Sequence, residues 1–420
     1  MSERELSAAV TEFGLGNRVD AFCRRAVLDR LDVLACGSLR IDDADGCWVL
    51  AGQKPGPEAR VHVHDSKFWR LLATGGSVGA GEAYIAGAWD APDLVAVIRV
   101  LAANRSVMDR MEQGGARLYG WLLKLLHRFS RNSLTGARRN IAAHYDLGNE
   151  FFRAWLDPRM QYSSGLFRTA EETLEQSQLN KLERIVERLQ ISAADHVLEI
   201  GSGWGGLAIH LASSTGCRVT TTTISREQHA WAVERVAEAG LGDRVEVLLQ
   251  DYRELTGQFD KLVSVEMIEA VGAEYLETYL ATIEQRLKPD GLALIQAITI
   301  EDHRYRNALA SVDFIKRYIF PGSFIPSVSA ITGAMARAGS LGLVELFDMG
   351  ESYARTLRHW RQRFEAAWEA IHAMGFDEGF RRRWRFYLAY CEGGFDERAI
   401  SNVQLLLAGP EWRKALPVRA

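Results

Sequence analysis

No stretch of the 420-residue chain approaches the roughly 20 consecutive apolar residues that a bilayer-spanning helix needs, so any membrane contact is expected to be peripheral. The first residues lack the basic start and apolar core of a secretory signal, and none is expected. The five cysteines, Cys23, Cys36, Cys47, Cys217 and Cys391, are scattered without a C-x-x-C pair. That spacing excludes a zinc-ribbon pattern and a disulfide framework, and suits a reducing cytoplasm. A net charge of -4 gives no global attraction to nucleic acid, and no nucleic-acid partner is expected. Internal repeats and low-complexity runs are also missing, so the chain reads as about two or three ordinary globular domains.

What is present is organised in three parts. Residues 1–114 carry short strand-like runs at Gly37–Ile41, Cys47–Ala51 and Ala59–His64. A helix near Ser66–Thr74, a glycine-punctuated segment over Gly75–Tyr84 and an apolar helix from Pro92 to Ala103 follow, so this part reads as a small α/β domain. Residues 115–138 form a basic linker. Between Gly115 and Ala143 there are six basic residues and no acid, interleaved with Leu118, Trp121, Leu122, Leu125, Leu126 and Phe129 at helical spacing. Such a helix fits an anionic lipid interface or a packing role between domains. From 139 to 420 strands and helices alternate, with strands expected at His196–Ile200, Arg218–Ile224, Val245–Gln250, Phe259–Val265 and Leu292–Ile300. Leu343–Phe347 and Ala399–Leu407 are candidates for the sheet edge. The alternation predicts an α/β, doubly wound, Rossmann-like parallel sheet with its ligand at the carboxyl ends of the strands. A second basic and aromatic stretch, Arg355–Tyr390, places Leu357, Trp360, Phe364, Ala367 and Ile371 on one helical stripe, which reads as core.

The densest signal is Val197-Leu-Glu-Ile-Gly-Ser-Gly-Trp-Gly-Gly206, a hydrophobic strand that breaks into a glycine loop opening onto a helix. Gly201, Gly203 and Gly206 satisfy the dinucleotide pattern, which also wants an acid roughly 20 residues on for a ribose hydroxyl. The next strand ends Thr-Thr-Thr-Thr-Ile-Ser225 and supplies none. Glu199 with Gly201, Gly203 and Gly205 instead favours the E-x-G-x-G-x-G loop of a methyltransferase, whose ligand carries a cationic sulfonium.

The loop, together with His144-Tyr-Asp-Leu-Gly-Asn-Glu-Phe-Phe152, Met160-Gln-Tyr-Ser-Ser164 and Tyr318-Ile-Phe-Pro-Gly322, resembles the cyclopropane-fatty-acyl-phospholipid synthase family, which includes mycolic acid cyclopropane synthases. The resemblance covers about 140–409. It implies a class I fold dependent on S-adenosylmethionine (SAM), and transfer of one carbon to the cis double bond of an unsaturated phospholipid acyl chain, most often closing a cyclopropane. A methyl- or methylene-branched product and a small-metabolite substrate are the alternatives. It also implies a cytoplasmic enzyme at the inner membrane face, with a homodimer as one option. By residue match, Tyr162 and Ser163 border the methionine part of the cofactor and Gly201 and Gly203 underlie it. Thr223, Ile224 and Gln228 lie near its ribose, and Tyr252 and Arg253 beside adenine.

The proton that leaves after methyl transfer goes, in that family, to a bound bicarbonate, for which Glu269, Tyr353 and Cys391 match the family's ligands. Three positions depart from the family pattern: Ser164 stands for a cysteine, Ala270 for a histidine and Gln296 for a histidine. Serine and glutamine can hydrogen-bond an anion but are not general bases near neutral pH. The substitutions bear on ring closure and leave methyl transfer supported, with a cyclopropane the expected product and a methyl or methylene branch the alternative.

Overall fold

The computed structural model describes residues 18–105 and 147–413. The basic segment Gly115–Ala143 and the residues His144, Tyr145 and Asp146 of the first family motif lie outside the described residues. The chain divides into two compact units, and neither is continuous in sequence. One combines Met1–Arg128 with Ser311–Tyr318 and Gly375–Ala399; the other holds Phe129–Ala310, Ile319–Met374 and Ile400–Ala420.

The first unit contains a four-stranded sheet in the order β2-β1-β3-β4, formed by β1 (Cys36–Asp43), β2 (Gly46–Ala51), β3 (Lys54–Val63) and β4 (Trp89–Asp90). The helix expected near Ser66–Thr74 continues through the glycine-punctuated segment: Lys67–Ile85 is helical, with one break at Gly76 (φ 54°, ψ -133°). The glycines serve packing. A Cβ on Gly79 would lie 1.9 Å from the Leu71 carbonyl oxygen, and one on Gly81 would lie 2.3 Å from the Phe314 ring. Phe314 stacks edge-on against Phe386 at 4.6 Å, so the short Phe314–Tyr318 helix and the long Glu378–Asp396 helix belong to this core. The Arg381–Arg383 run is structural at Arg382, whose guanidinium holds the backbone oxygen of Trp89 at 2.9 Å and the Asp90 carboxylate at 3.0 Å.

The second unit is built on seven strands: β5 (His196–Ile200), β6 (Arg218–Thr223), β7 (Val245–Leu249), β8 (Phe259–Val265), β9 (Leu287–Ile300), β10 (Gly342–Asp348) and β11 (Ile400–Ala408). Their order is β10-β11-β9-β8-β5-β6-β7. Neighbours from β7 to β9 are parallel, while β11 runs antiparallel to both β9 and β10. The sheet is therefore doubly wound and mixed, with one reversed strand. Val197, Leu198, Leu262, Val263, Leu292 and Leu294 are fully or almost fully buried, as expected of central strands covered on both faces. The helix Leu174–Leu189, absent from the sequence expectation, is opened by a capping box in which Thr173 and Gln176 exchange hydrogen bonds. The stripe Leu357, Trp360, Phe364 and Ile371 is buried, as read from its spacing.

Candidate active site

Strand order reverses around β5, which lies between β6 and β8, and open α/β sheets bind ligands at the carboxyl ends of strands at such a point. The glycine loop leaves β5 there. Gly201 (φ 97°), Gly203 (φ 49°) and Gly205 (φ 81°) all have left-handed backbone, which glycine tolerates best. Their missing side chains do different work. A Cβ on Gly201 or Gly205 would press on Met267 or Ala232 at 3.1 Å, whereas one on Gly203 would meet nothing within 4 Å among the described residues. Gly203 thus presents bare backbone to open space, the cradle that a ligand needs.

The polar residues at neighbouring strand ends surround this loop. Glu199 is buried and accepts from the Thr221 hydroxyl at 2.5 Å. Burial pushes its carboxyl up to about 7, against the pull of that hydroxyl and of Lys181. At the end of β6, the Thr223 hydroxyl donates to Gln228 Oε1 at 3.0 Å, and Ile224 follows directly. After β7, Asp251 holds Arg253 in a two-pronged pair, with Nε and a terminal nitrogen each 2.8 Å from a carboxylate oxygen. Tyr252 is buried beside it with its hydroxyl unpartnered.

Three of the sequence-derived catalytic candidates meet on a residue outside that set. Glu266, one position past β8, accepts four hydrogen bonds. Oε1 takes them from the Ser164 backbone N–H (3.0 Å), Gln296 Nε2 (2.8 Å) and Asn402 Nδ2 (2.8 Å), and Oε2 from the Tyr353 hydroxyl (2.7 Å). Ser164 contributes its amide and not its hydroxyl, which donates to the Gly165 carbonyl at 2.9 Å. Gln296 is held in turn by Gln404 at 3.0 Å. Burial raises the Glu266 carboxyl above its ordinary value, while its donors and Lys181 pull the other way. Glu266 also has φ 49°, a left-handed backbone that non-glycine residues adopt seldom.

Glu269, three residues on, accepts from the Ile298 N–H at 2.5 Å through Oε1, while its enclosed Oε2 has no partner among the described residues. Burial, then the nearby Glu266 charge, push it up to about 8, so it carries a proton near neutral pH. Cys391 lies on the Glu378–Asp396 helix of the other unit, where burial pushes its thiol well up. It is therefore a neutral thiol, not a thiolate.

Lys181 is the second residue that sequence reasoning missed. Fully buried, it donates to Gln161 Oε1 at 2.9 Å and to Ser163 Oγ at 2.7 Å, fixing the segment that carries Tyr162 and Ser163. Burial draws it down to about 8 despite the opposing charges of Glu266, Asp157 and Glu199. Tyr162 stands in an aromatic group, with centroids 5.3 Å from Trp360, 5.4 Å from Phe152, 5.5 Å from Trp155 and 6.4 Å from Phe320. A lysine on a helix ordinarily signals a solvated face. By contrast, Asn402 within the largely apolar strand Ile400–Ala408 was a readable sign of a buried polar contact.

Comparison with known proteins agrees with this geometry. The family model described as mycolic acid cyclopropane synthetase matches residues 132–405. The chain is 39% identical to a tuberculostearic acid methyltransferase from Mycobacterium tuberculosis over 89% of its own length and 88% of that protein's. It is 36% identical to the cyclopropane-fatty-acyl-phospholipid synthase of Escherichia coli K12, covering 83% and 88%. Among solved structures, it resembles the M. tuberculosis cyclopropane synthase MmaA2 with a TM-score of 0.60 at 27% identity, covering 64% of this chain and 98% of that one. The mycolic acid cyclopropane synthase CmaA1, solved with S-adenosylhomocysteine, gives the same TM-score and coverages at 25% identity. A glycine cradle at the switch point of a seven-stranded sheet and a family match over residues 132–405 carry one conclusion: the chain belongs to the mycolic acid cyclopropane synthetase family of SAM-dependent methyltransferases.

Proposed function

We propose that the enzyme transfers a methyl group from SAM to the cis double bond of an unsaturated phospholipid acyl chain. The observation that carries this reading is the pairing of an enclosed carboxylate cluster, Glu266 and Glu269, with the aromatic group around Tyr162. An alkene is a weak nucleophile, so its methylation requires a dry, positioned encounter and leaves a carbocation on the chain. Aromatic faces attract a cation by about 0.5 to 2 kcal/mol each, and a carboxylate can then take the departing proton. SAM supplies the electrophilic methyl. The residues that would hold it are Gly201, Gly203 and Gly205 with Glu199 at the loop, Tyr162 and Ser163 at its methionine end, Thr223, Ile224 and Gln228 at the ribose, and Tyr252 and Arg253 at adenine. Lys181 fixes Ser163, and Asp251 fixes Arg253, so both cofactor contacts start from rigid partners. Cys391 joins this assignment by family match, as a neutral hydrogen-bonding group.

A second reading of the product has its own support. The groups expected at Ser164, Ala270 and Gln296 for a ring-forming site are replaced, and the relative with the higher identity of the two quoted is named a methyltransferase. A branched chain is therefore favoured over a cyclopropane. Expression in a host rich in unsaturated phospholipids should add one CH2 to their acyl chains, read by lipid mass spectrometry. No change in any unsaturated phospholipid would redirect the assignment to a small metabolite.

The substrate also places the enzyme at the cytoplasmic membrane surface. No helix among the described residues is long and apolar enough to cross a membrane. The acid-free segment Gly115–Ala143 is the proposed docking element, and each lysine or arginine near an anionic surface contributes about 1 kcal/mol, screened by salt. Cosedimentation with anionic vesicles should fall as salt is added, and fall further in the combined Lys124→Glu and Arg128→Glu variant. Salt-independent binding would remove this segment from the assignment.

A further inference from the structure

We infer that the Glu266 carboxylate occupies the seat of the bicarbonate that the family resemblance leads one to expect, and that this enzyme carries its proton acceptor as a side chain. The inference rests on the proposed methyl transfer and deepens it. A bound anion at this place would be held by the groups at positions 164, 296 and 353. In this structure the Ser164 N–H, Gln296 Nε2 and the Tyr353 hydroxyl all point at Glu266, and Asn402 adds a fourth donor. A second carboxylate-sized anion would find those donors spent and would face the charge of Glu266. Bicarbonate does not fit here.

The arrangement is also costly without a function. A residue with a Cβ is held at φ 49°, where backbone strain is usual, and its carboxyl group is withdrawn from water close to that of Glu269. Strain and buried charge of this kind concentrate at working sites. Burial raises the Glu266 carboxyl, and its hydrogen-bond donors, with a smaller share from Lys181, oppose that rise. Gln296 is then explained: its side-chain amide is a donor that orients a carboxylate, a task which needs no titratable group, while Ser164 serves through its backbone N–H.

The step balances without a free anion. The alkene π pair forms the new C–C bond to the sulfonium methyl as the C–S bond breaks, and sulfur leaves as neutral thioether. The neighbouring chain carbon becomes cationic. A C–H bond next to it, or on the new methyl, gives its proton to Glu266, and its electron pair closes an alkene or a ring. Protonated Glu266 returns the proton to solvent after product leaves.

Two measurements test this independently. Titration of 13C-labelled bicarbonate, followed by NMR, should show no binding to the wild-type protein and saturable binding to Glu266→Gly, which empties the seat. Saturable binding to wild type would overturn the inference, and this readout needs no lipid turnover. With unsaturated phospholipid vesicles and SAM, wild-type turnover should be the same in carbonate-depleted and bicarbonate-supplemented buffer. Glu266→Gln should lose about 100-fold in turnover while keeping SAM affinity within about twofold, as for loss of a general base. Bicarbonate should partly restore Glu266→Gly. Stimulation of wild type by bicarbonate, or full activity in Glu266→Gln, would also overturn it. Absence of any lipid product from wild type would instead strike the proposed substrate, leaving the bicarbonate titration to decide the role of the seat.

Discussion

Replacing Gly203 with valine should abolish SAM binding while leaving the fold nearly untouched. The two halves of that expectation have separate causes. A Cβ at Gly203 would meet no atom of the described residues within 4 Å, so the surrounding core has room for it. A branched side chain there would project into the space that the cofactor backbone must enter. The φ of 49° adds a penalty, roughly 1 to 2 kcal/mol for a residue with a Cβ, that the loop can relieve only by moving away from the ligand. Calorimetry should show affinity reduced by more than about 100-fold, which corresponds to about 3 kcal/mol. The thermal midpoint should move by only a few degrees. Gly206→Val makes the contrasting control, because its Cβ would lie 2.3 Å from the Arg159 carbonyl oxygen and should destabilise the protein itself. Unchanged SAM affinity in Gly203→Val would remove the loop from the cofactor site.

Much of the second unit was legible because its signals are local. Strands β5 and β8 fall where hydrophobic runs end at glycine or acidic loops, and Thr220–Thr223 suits a strand because β-branched side chains pack well on a pleated surface. The glycine loop was readable for the same reason: a positive φ at Gly201, Gly203 and Gly205 is a property of single residues. What stayed hidden depends on distant partners. The helix is expected to stop near Thr74, yet it runs on through the glycine-rich Gly75–Tyr84, whose glycines make room for Leu71 and Phe314, so tertiary packing overrides local preference. The reversed strand β11 looks like any other apolar run until its pairing with β9 and β10 is known. The membership of Gly375–Ala399 in the amino-terminal unit has no local signature either.

The catalytic candidates divide along the same line. Ser164, Gln296 and Tyr353 were found through motif positions, and the structure brings them together. The object they surround, Glu266, sits in the strand-end loop Glu266–Gly272, and nothing in its immediate neighbours marks it as the acceptor of four donors. Lys181 was hidden more deeply, because only burial separates it from the many solvated lysines and arginines of this chain. Glu199, by contrast, was read from its place in the glycine motif. Its link to Thr221 on the next strand explains why an acid is tolerated in the buried floor of the sheet.

The acyl product should be branched and contain no three-membered ring. After methyl transfer the positive charge lies on the chain carbon beside the new branch, and the outcome is set by which neighbouring C–H bond the base can reach. A ring forms only when the proton leaves the transferred methyl. A mobile anion can settle beside that methyl, but Glu266 is tethered to the end of β8 and clamped by four donors, so it accepts a proton from one direction. The replacements at Ser164, Ala270 and Gln296 alter the surroundings in which ring closure was expected. Loss of a chain proton then gives an alkene carrying a methyl branch, with the same mass as the cyclopropane because both add one CH2. Proton NMR of the purified lipid separates them, since ring protons resonate far upfield of vinyl protons. The expected spectrum has vinyl and branch-methyl signals and no upfield ring signals. Ring signals would overturn the branched product while leaving methyl transfer intact. They would mean that the clamped carboxylate faces the transferred methyl, which a structure with bound lipid analogue would then have to show.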